Sequence, residues 1–257
     1  MALSVNPLND LWSKGRCALN GWIASPGPIT AEAMAGAGWD VLTVDLQHGC
    51  VDYSDLQTLF PIIEKSGAVP FARVPWLDEG QIMRVLDAGA MGVIVPMIET
   101  AEQARRLVKA CRYPPHGGRS FGPIRARYSW PGEYSVEAAN ASVVALAMIE
   151  TRSGVEALDE ILSVPGLSGI YIGPSDLALS YGYPARFDPE VPELVDLLAL
   201  VRKKTADFSL RCGLHCGTVD YAIRAAGWKM DLVTVGSDTR FVEASAKEVV
   251  QSYRGAW

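Results

Sequence analysis

Short apolar runs alternate regularly with amphipathic segments along the chain, and this pattern narrows the choice of fold to a few architectures. Mostly apolar strands separated by helices are typical of a parallel sheet that is covered on both faces. About eight such units in 257 residues predict an α/β fold, a (β/α)8 TIM barrel. The predicted strands lie at residues 19–24, 41–46, 69–74, 92–97, 143–150, 169–173, 212–216 and 232–235. The predicted helices between them include residues 55–65, 80–88, 101–111 and 155–162.

A doubly wound open sheet shows the same alternation and is the main alternative. Its usual glycine fingerprint is missing after the first strand, where Ser25-Pro26-Gly27-Pro28 stands instead. Two segments depart from the repeat: a loop at about 114–134, too long for an ordinary connection, and an excursion at 181–192 before a helix expected at 193–206. Because no low-complexity linker divides the chain, we expect a single domain over residues 1–257.

Composition excludes several classes of protein. The net charge of −6 argues against nucleic acid as a partner, since phosphate binding requires a basic face. No apolar run approaches the length of a membrane helix, and the N-terminus lacks the pattern of a signal peptide. The five cysteines are odd in number and irregularly spaced, which favours reduced thiols. We therefore expect a cytoplasmic protein with no membrane contact.

Two carboxylates stand where a strand gives way to a helix. Glu150 ends the apolar run at 143–150, and Asp176 follows the next run directly after Gly173-Pro174-Ser175. Acidic side chains at the ends of neighbouring strands can share a divalent cation such as Mg²⁺ or Mn²⁺, and barrel enzymes react at this end. Each acid could instead cap a helix or join an ion pair.

Three further side chains lie at or near strand ends. His48 follows the second strand, and a histidine that titrates near neutral pH suits proton transfer, although a hydrogen-bonded loop histidine is the alternative. Arg73 lies in an apolar strand and needs an anionic partner, either a protein carboxylate or a bound anion. Trp22 could line a pocket from the first strand or belong to the core.

Cys212, His215 and Cys216 suggest a soft-metal site at first sight. In a strand the two cysteines point to one face and the histidine to the other, which fits tetrahedral coordination poorly. We expect the cysteines to be core residues.

These motifs, in this order, resemble the HpcH/HpaI aldolase family of metal-dependent class II pyruvate aldolases. The resemblance extends from about residue 21 to 238. The matching stretches are Ala35-Gly36-Ala37-Gly38-Trp39-Asp40, Asp45-Leu46-Gln47-His48, Arg73-Val74-Pro75, Leu86-Asp87-Ala88-Gly89-Ala90, Val95-Pro96-Met97, Ile149-Glu150-Thr151-Arg152 and Ile172-Gly173-Pro174-Ser175-Asp176-Leu177.

The resemblance implies a barrel that assembles as a homo-oligomer, typically a hexamer with exchanged terminal helices. It implies reversible cleavage of 4-hydroxy-2-oxo acids to pyruvate, or hydroxypyruvate, and an aldehyde. Glu150 and Asp176 would hold the divalent metal ion (Mg²⁺, Mn²⁺ or Co²⁺) that serves as cofactor. His48 would be the general base, and Asp87 would raise its basicity.

The resemblance also assigns the binding of the oxo acid. Arg73 would stabilise the enolate, and the backbone amides of Ser175 and Asp176 would hold the substrate carboxylate. Two departures bear on substrate identity rather than on reaction type: Gln47 stands where many relatives have Glu, and Met148 where many have Gln.

The loop at 114–134 has little local patterning, so we expect something outside it to order it. In the resembling family the equivalent region lies near the active site of a neighbouring subunit. Phe121 would then form an apolar wall for the aldehyde, with the charge of Arg119 nearby. The alternative is a loop that closes over its own barrel only.

Two other functions stay open at this point. One is a carbon–carbon lyase of the citrate-lyase or malyl-coenzyme A lyase type, which would use a similar metal site on a thioester. The other is a catalytically silent barrel that binds a metabolite or acts as a scaffold.

Overall fold

The computed structural model describes residues 5–256 and shows eight parallel strands closed into a barrel in chain order. The last strand pairs with the first, with Leu19 opposite Val233 and Asn20 opposite Thr234. This closure confirms the TIM barrel and excludes the open sheet, whose edge strands would stay unpaired. No helix among the described residues is long and apolar enough to cross a membrane.

The predicted strands agree with the structure to within two residues at every end. The strands are β1 (Ala18–Ile23), β2 (Val41–Asp45), β3 (Val69–Arg73), β4 (Gly92–Val95), β5 (Val144–Ile149), β6 (Gly169–Ile172), β7 (Arg211–Cys216) and β8 (Leu232–Ser237). The helices are α1 (Leu8–Ser13), α2 (Pro28–Ala35), α3 (Leu56–Lys65), α4 (Glu79–Asp87), α5 (Ala101–Cys111), α6 (Ala126–Ser129), α7 (Val136–Ser142), α8 (Arg152–Glu156), α9 (Leu158–Leu162), α10 (Pro174–Ser180), α11 (Pro192–Asp207), α12 (Val219–Gly227) and α13 (Asp238–Arg254). A single 3-10 turn at Tyr53–Asp55 precedes α3.

The apolar side chains form an inner and an outer core. The inner core fills the barrel, and the outer core lies between the strands and the surrounding helices. Helix α1 covers the N-terminal end of the barrel, where Leu8 and Trp12 join the inner core. The indole of Trp12 donates a hydrogen bond to the carbonyl of Asp231 at 2.8 Å, just before β8. The opposite end, where the strands finish, stays accessible.

The loop at 114–134 is ordered by residues outside it, as expected, and these residues belong to its own chain. Arg119 pairs with Asp87 at the end of α4 at 2.6 Å, and Arg125 pairs with Glu64 on α3 at 2.7 Å. The loop connects α5 to α7 and β5, so it lies at the N-terminal end of the barrel. It therefore does not close over the strand ends of its own barrel.

Candidate active site

A cavity of about 300 Å³ opens at the C-terminal ends of the strands. This is the end of a TIM barrel at which catalytic residues are found. Several residues singled out in the sequence line it, namely Trp22, Asp45, His48, Arg73, Met148, Ser175 and Asp176. The structure therefore brings side chains from five separate strand ends to one place.

The two predicted metal ligands follow the adjacent strands β5 and β6. Glu150 directly follows Ile149, whose register partner on β6 is Ile172, and Asp176 lies in the first turn of the helix that follows β6. Glu150 is 2% exposed, and its Oε1 accepts a hydrogen bond from the amide of Met97 at 2.8 Å. The other oxygen, Oε2, receives no hydrogen bond within the described chain.

Glycine at position 173 makes room for this carboxylate. A Cβ on Gly173 would lie 2.5 Å from Glu150 Oε2 and 2.5 Å from Met148 Cε, closer than real atoms approach. The backbone at Gly173 therefore passes directly beside the oxygen that is free to take a ligand. Close approach of backbone to a ligand-binding group is a common reason for glycine at such a position.

The two carboxylates fit a divalent cation. Burial, together with the negative charge of Asp176, raises the pKa of Glu150 to about 7. A cation held between the acids would reverse this unfavourable field. Among residues 5–256 no cluster of three or more His, Cys, Asp or Glu side chains is placed to hold a metal ion. The protein would thus supply two carboxylates and leave the other positions to water or substrate oxygens, as Mg²⁺ sites commonly do.

Asp176 does not cap its helix. The N-cap of α10 is Gly173, and no side chain caps this end. Asp176 is exposed to the cavity, and the amides of Ser175 and Asp176 belong to the first helical turn, whose N–H groups lack helical acceptors. This arrangement leaves the Asp176 side chain free for a ligand, and such amides favour a carboxylate.

Arg73 has the protein carboxylate that its buried position requires. Its Nε and Nη2 donate to the two oxygens of Asp45 at 2.8 and 2.6 Å. Burial on its own raises the pKa of Asp45, but the hydrogen bonds and charge of Arg73 outweigh this effect and hold the pKa below its usual range. The guanidinium also lies over the ring of Trp22, at 4.9 Å from its centroid. Arg73 is thereby fixed at the cavity wall as a permanent positive charge.

His48 lies on the turn after β2 and is exposed at the cavity. Its backbone amide donates weakly to Asp45 Oδ1 at 3.4 Å. The imidazole has no hydrogen-bond partner among the described residues, so it is not tied down as an ordinary loop histidine would be. It is free to exchange a proton with a bound molecule.

Two predicted site residues do not reach this cavity within one chain. Asp87 ends α4, shortly before β4 begins, and therefore lies at the opposite end of the barrel from His48. Phe121, which is 62% exposed, contacts the rings of Tyr113 and Tyr134 on the loop at the same far end. Neither residue can act on this cavity from its own chain.

Two lining residues, Phe187 and Arg240, were not singled out in the sequence, and a third, His215, was considered there only as a soft-metal ligand. Phe187 comes from the excursion at 181–192, Arg240 from the start of α13, and His215 from β7. The excursion is tied down by Asp188, whose side chain accepts hydrogen bonds from Gly217 at 2.6 Å and Thr218 at 2.7 Å. The irregular length of the excursion was the one available signal, because such insertions in barrels often carry binding residues.

The cysteine motif on β7 behaves as the strand alternation predicts. Cys212 and Cys216 are fully buried in the outer core, whereas His215 lines the cavity. All five cysteines are free thiols. The soft-metal interpretation therefore has no support in the described structure.

A closed (β/α)8 barrel whose C-terminal cavity is lined by a carboxylate, an arginine and a histidine, with a second carboxylate beside it, has the architecture of a TIM-barrel enzyme. The chain belongs to the HpcH/HpaI aldolase/citrate lyase family, whose sequence model matches residues 19–239.

Relatives are similar over nearly the whole chain. A hydroxypyruvate/pyruvate aldolase of Rhizorhabdus wittichii is 39% identical, over 97% of this chain and 99% of the relative. A 2-keto-3-deoxy-L-rhamnonate aldolase of Escherichia coli is 34% identical, over 93% of this chain and 89% of the relative. Among solved structures, a family member from Burkholderia cenocepacia superposes with a TM-score of 0.88 at 26% identity, covering 97% and 100% of the two chains.

Proposed function

We propose that this protein is a carbon–carbon lyase that reversibly cleaves 4-hydroxy-2-oxo acids to pyruvate, or hydroxypyruvate, and an aldehyde. The observation that carries the proposal is a cavity lined by Asp176, Arg73 and His48, with the Glu150 carboxylate directly beside the lining residue Gly173. Relatives at 39% and 34% identity named as aldolases support this reaction over thioester cleavage and over a silent barrel.

Aldol cleavage requires removal of a proton from the 4-hydroxyl and a sink for negative charge on the C2 oxygen. A divalent cation held by Glu150 and Asp176 would supply Lewis-acid stabilisation of that charge. The ions to test are Mg²⁺, Mn²⁺ and Co²⁺. The free Oε2 of Glu150 and the exposed Asp176 carboxylate are the groups that would bind it.

The protein's own residues perform the remaining tasks. His48, which is unpaired and exposed at the cavity, takes the proton from the 4-hydroxyl and returns a proton in the synthetic direction. Arg73, oriented by Asp45, places a fixed positive charge where the enolate forms. The first-turn amides of Ser175 and Asp176 donate hydrogen bonds to the substrate carboxylate. The ring of Trp22 packs against the guanidinium of Arg73 and forms part of the cavity wall.

The kinetic test separates the two steps. His48→Ala should lower kcat for aldol cleavage by about 100-fold or more, since it removes the general base. Arg73→Ala should lower cleavage by a similar factor and also slow exchange of the pyruvate methyl protons with deuterated water, because it destabilises the enolate. NMR of pyruvate and stopped assays of cleavage measure both. Near wild-type kcat in both variants would contradict the assigned roles.

The assembly is proposed on the resemblance and on the barrel geometry. A homo-oligomer, a hexamer by resemblance, would bring the N-terminal end of one barrel to the cavity of another. Asp87 of a second subunit could then reach His48. Phe121 and Arg119 of that second subunit could likewise reach the aldehyde. A cytoplasmic location remains a prediction from the sequence.

A further inference from the structure

A line of polar side chains crosses the barrel interior and ends at the cavity. The Thr43 hydroxyl donates to Asn20 Oδ1 at 3.0 Å, and the Asn20 amide donates to Thr234 Oγ1 at 2.8 Å. The Tyr171 hydroxyl also donates to Thr234 Oγ1, at 2.6 Å. At the cavity, the same Tyr171 oxygen lies 3.0 Å from His215 Nδ1. His215 is the last member of the line and the only one of the five that lines the cavity.

This line determines which nitrogen of His215 carries the proton. A tyrosine hydroxyl has one proton, and that of Tyr171 is given to Thr234. The contact between Tyr171 and His215 is therefore a hydrogen bond only if Nδ1–H donates to the tyrosine oxygen. In a neutral imidazole the other nitrogen, Nε2, is then an acceptor with a free lone pair.

The surroundings keep the ring neutral and in place. Burial, with the positive charges of Arg73 and Arg240, lowers the pKa of His215 to about 3. Phe187 stacks on the ring at 4.8 Å between centroids, and Trp22 meets it edge-on at 5.1 Å. A protonated ring is thereby disfavoured, so the acceptor state of Nε2 is the state that a substrate meets.

When substrate fills the cavity and excludes water, the lone pair on His215 Nε2 needs a hydrogen-bond donor. Within the described chain Nε2 has no hydrogen-bond partner: Phe187 has no donor group, and the indole N–H of Trp22 is engaged with the Asp45 carboxylate. A substrate carboxylate or oxo group is itself an acceptor and cannot satisfy it. A hydroxyl group is the neutral donor that substrates of an aldolase carry.

We propose that His215 is a specificity-determining residue that accepts a hydrogen bond at Nε2 from a hydroxyl of the substrate, and so favours hydroxylated substrates over their deoxy counterparts. This inference rests on the proposed aldolase function and adds a substrate class to it. The hydroxyl can come from the 2-oxo acid, as in hydroxypyruvate, or from the aldehyde, as in glycolaldehyde. Tyr171 is a positioning residue, because it acts only by fixing the tautomer of His215.

The test uses the full chain with four substrate pairs: pyruvate or hydroxypyruvate, each with acetaldehyde or glycolaldehyde. His215→Phe keeps an aromatic ring against Phe187 and Trp22 but removes the acceptor. We expect it to lower kcat/KM by roughly 5- to 10-fold for pairs that carry the recognised hydroxyl, the effect of one neutral hydrogen bond. The pair of pyruvate and acetaldehyde should stay within about 2-fold of wild type. Which arm responds identifies the source of the hydroxyl.

A second variant guards against loss of folding and against a merely structural role. Tyr171→Phe leaves His215 in place but frees its tautomer, and should shift the same substrate ratio in the same direction by a smaller factor. Wild-type ratios in both variants, or an equal loss for all four pairs, would overturn the inference while leaving the aldolase assignment intact. A wild-type protein that turns over none of the pairs would overturn the aldolase assignment and the inference with it.

Discussion

At the scale of single residues, Arg73 shows how one ion pair serves both folding and chemistry. A guanidinium that is only 8% exposed would be costly without a partner, and the two-point pairing with Asp45 removes that cost. The same pairing leaves Nη1 without a role in the pair, so the cation can hold a bound anion without breaking its own support. Arg73 can therefore have both of the partners that the sequence left open, a protein carboxylate and a bound anion.

Gly173 gives a residue-scale prediction. Gly173→Ala should displace the Glu150 carboxylate, because the added Cβ would lie 2.5 Å from Oε2, and the backbone carrying that Cβ cannot easily move. We expect weaker Mn²⁺ binding by calorimetry and a loss of kcat/KM of about 10-fold or more, since a small misplacement at an active site has effects of this order.

Gly227→Ala is the matched control. Gly227 ends α12, and a Cβ there would meet nothing within 4 Å. This variant should bind Mn²⁺ and turn over substrate as the wild type does. Equal behaviour of the two variants would show that Gly173 does not protect the carboxylate site.

At the scale of elements, the strands were predictable and some helices were not. The strands are mostly apolar and mostly buried on both sides, so their ends follow from the sequence to within two residues. The predicted helix at 155–162 is instead two helices, α8 and α9, because the backbone leaves helical geometry at Ala157 (φ −88°, ψ 9°). No glycine or proline marks that break, so local sequence patterns could not reveal it.

In the candidate site, too, some residues could be predicted from the sequence and others could not. Residues next to a strand end, such as Glu150, Asp176, His48 and Arg73, could be predicted because the barrel brings all strand ends together. Phe187 could not, because its position depends on how the excursion at 181–192 folds back and is bound through Asp188. His215 was noticed only as a doubtful metal ligand, since its role depends on a hydrogen bond across the barrel to Tyr171.

Strand β7 gives an element-scale prediction about pH. In the folded protein the pKa of His215 is about 3, whereas an unfolded histidine titrates near 6.5. Between these values the unfolded chain binds a proton that the folded protein does not, so the free energy of unfolding falls as the pH falls. The slope from this group is up to about 1.4 kcal/mol per pH unit.

Urea unfolding at several values between about pH 6.5 and pH 4 measures this contribution. His215→Phe has no such group, so its stability should fall less steeply over that range than that of the wild type. Identical slopes for the two proteins would mean that folding does not lower the pKa of His215.

At the scale of the whole molecule, the two ends of the barrel carry different parts of the predicted machinery. His48 lies at the C-terminal end, while Asp87, Arg119 and Phe121 lie at the N-terminal end. The resemblance had placed Phe121 and Arg119 beside a neighbouring subunit's active site, but it assigned Asp87 to His48 without indicating which chain supplies it. The proposed oligomer reconciles the two sets.

Subunit mixing tests that proposal. His48→Ala and Asp87→Ala proteins should each be nearly inactive alone. If sites are shared between subunits, co-expression of the two should restore roughly a quarter of the sites, those that combine an intact His48 with an intact Asp87 from another chain. Analytical ultracentrifugation checks the assembly. A fully active monomer, or no recovery from an assembled mixture, would contradict the shared site.

The most direct test of the central claim is the dependence of aldol cleavage on a divalent cation held by Glu150 and Asp176. Turnover should be measured by NMR with pyruvate and glycolaldehyde before chelation, after chelation, and after return of Mg²⁺, Mn²⁺ or Co²⁺. We expect chelation to abolish turnover, a cation to restore it, and Asp176→Ala to stay inactive at every cation concentration reached. Full activity of Asp176→Ala in metal-free buffer would contradict the claim.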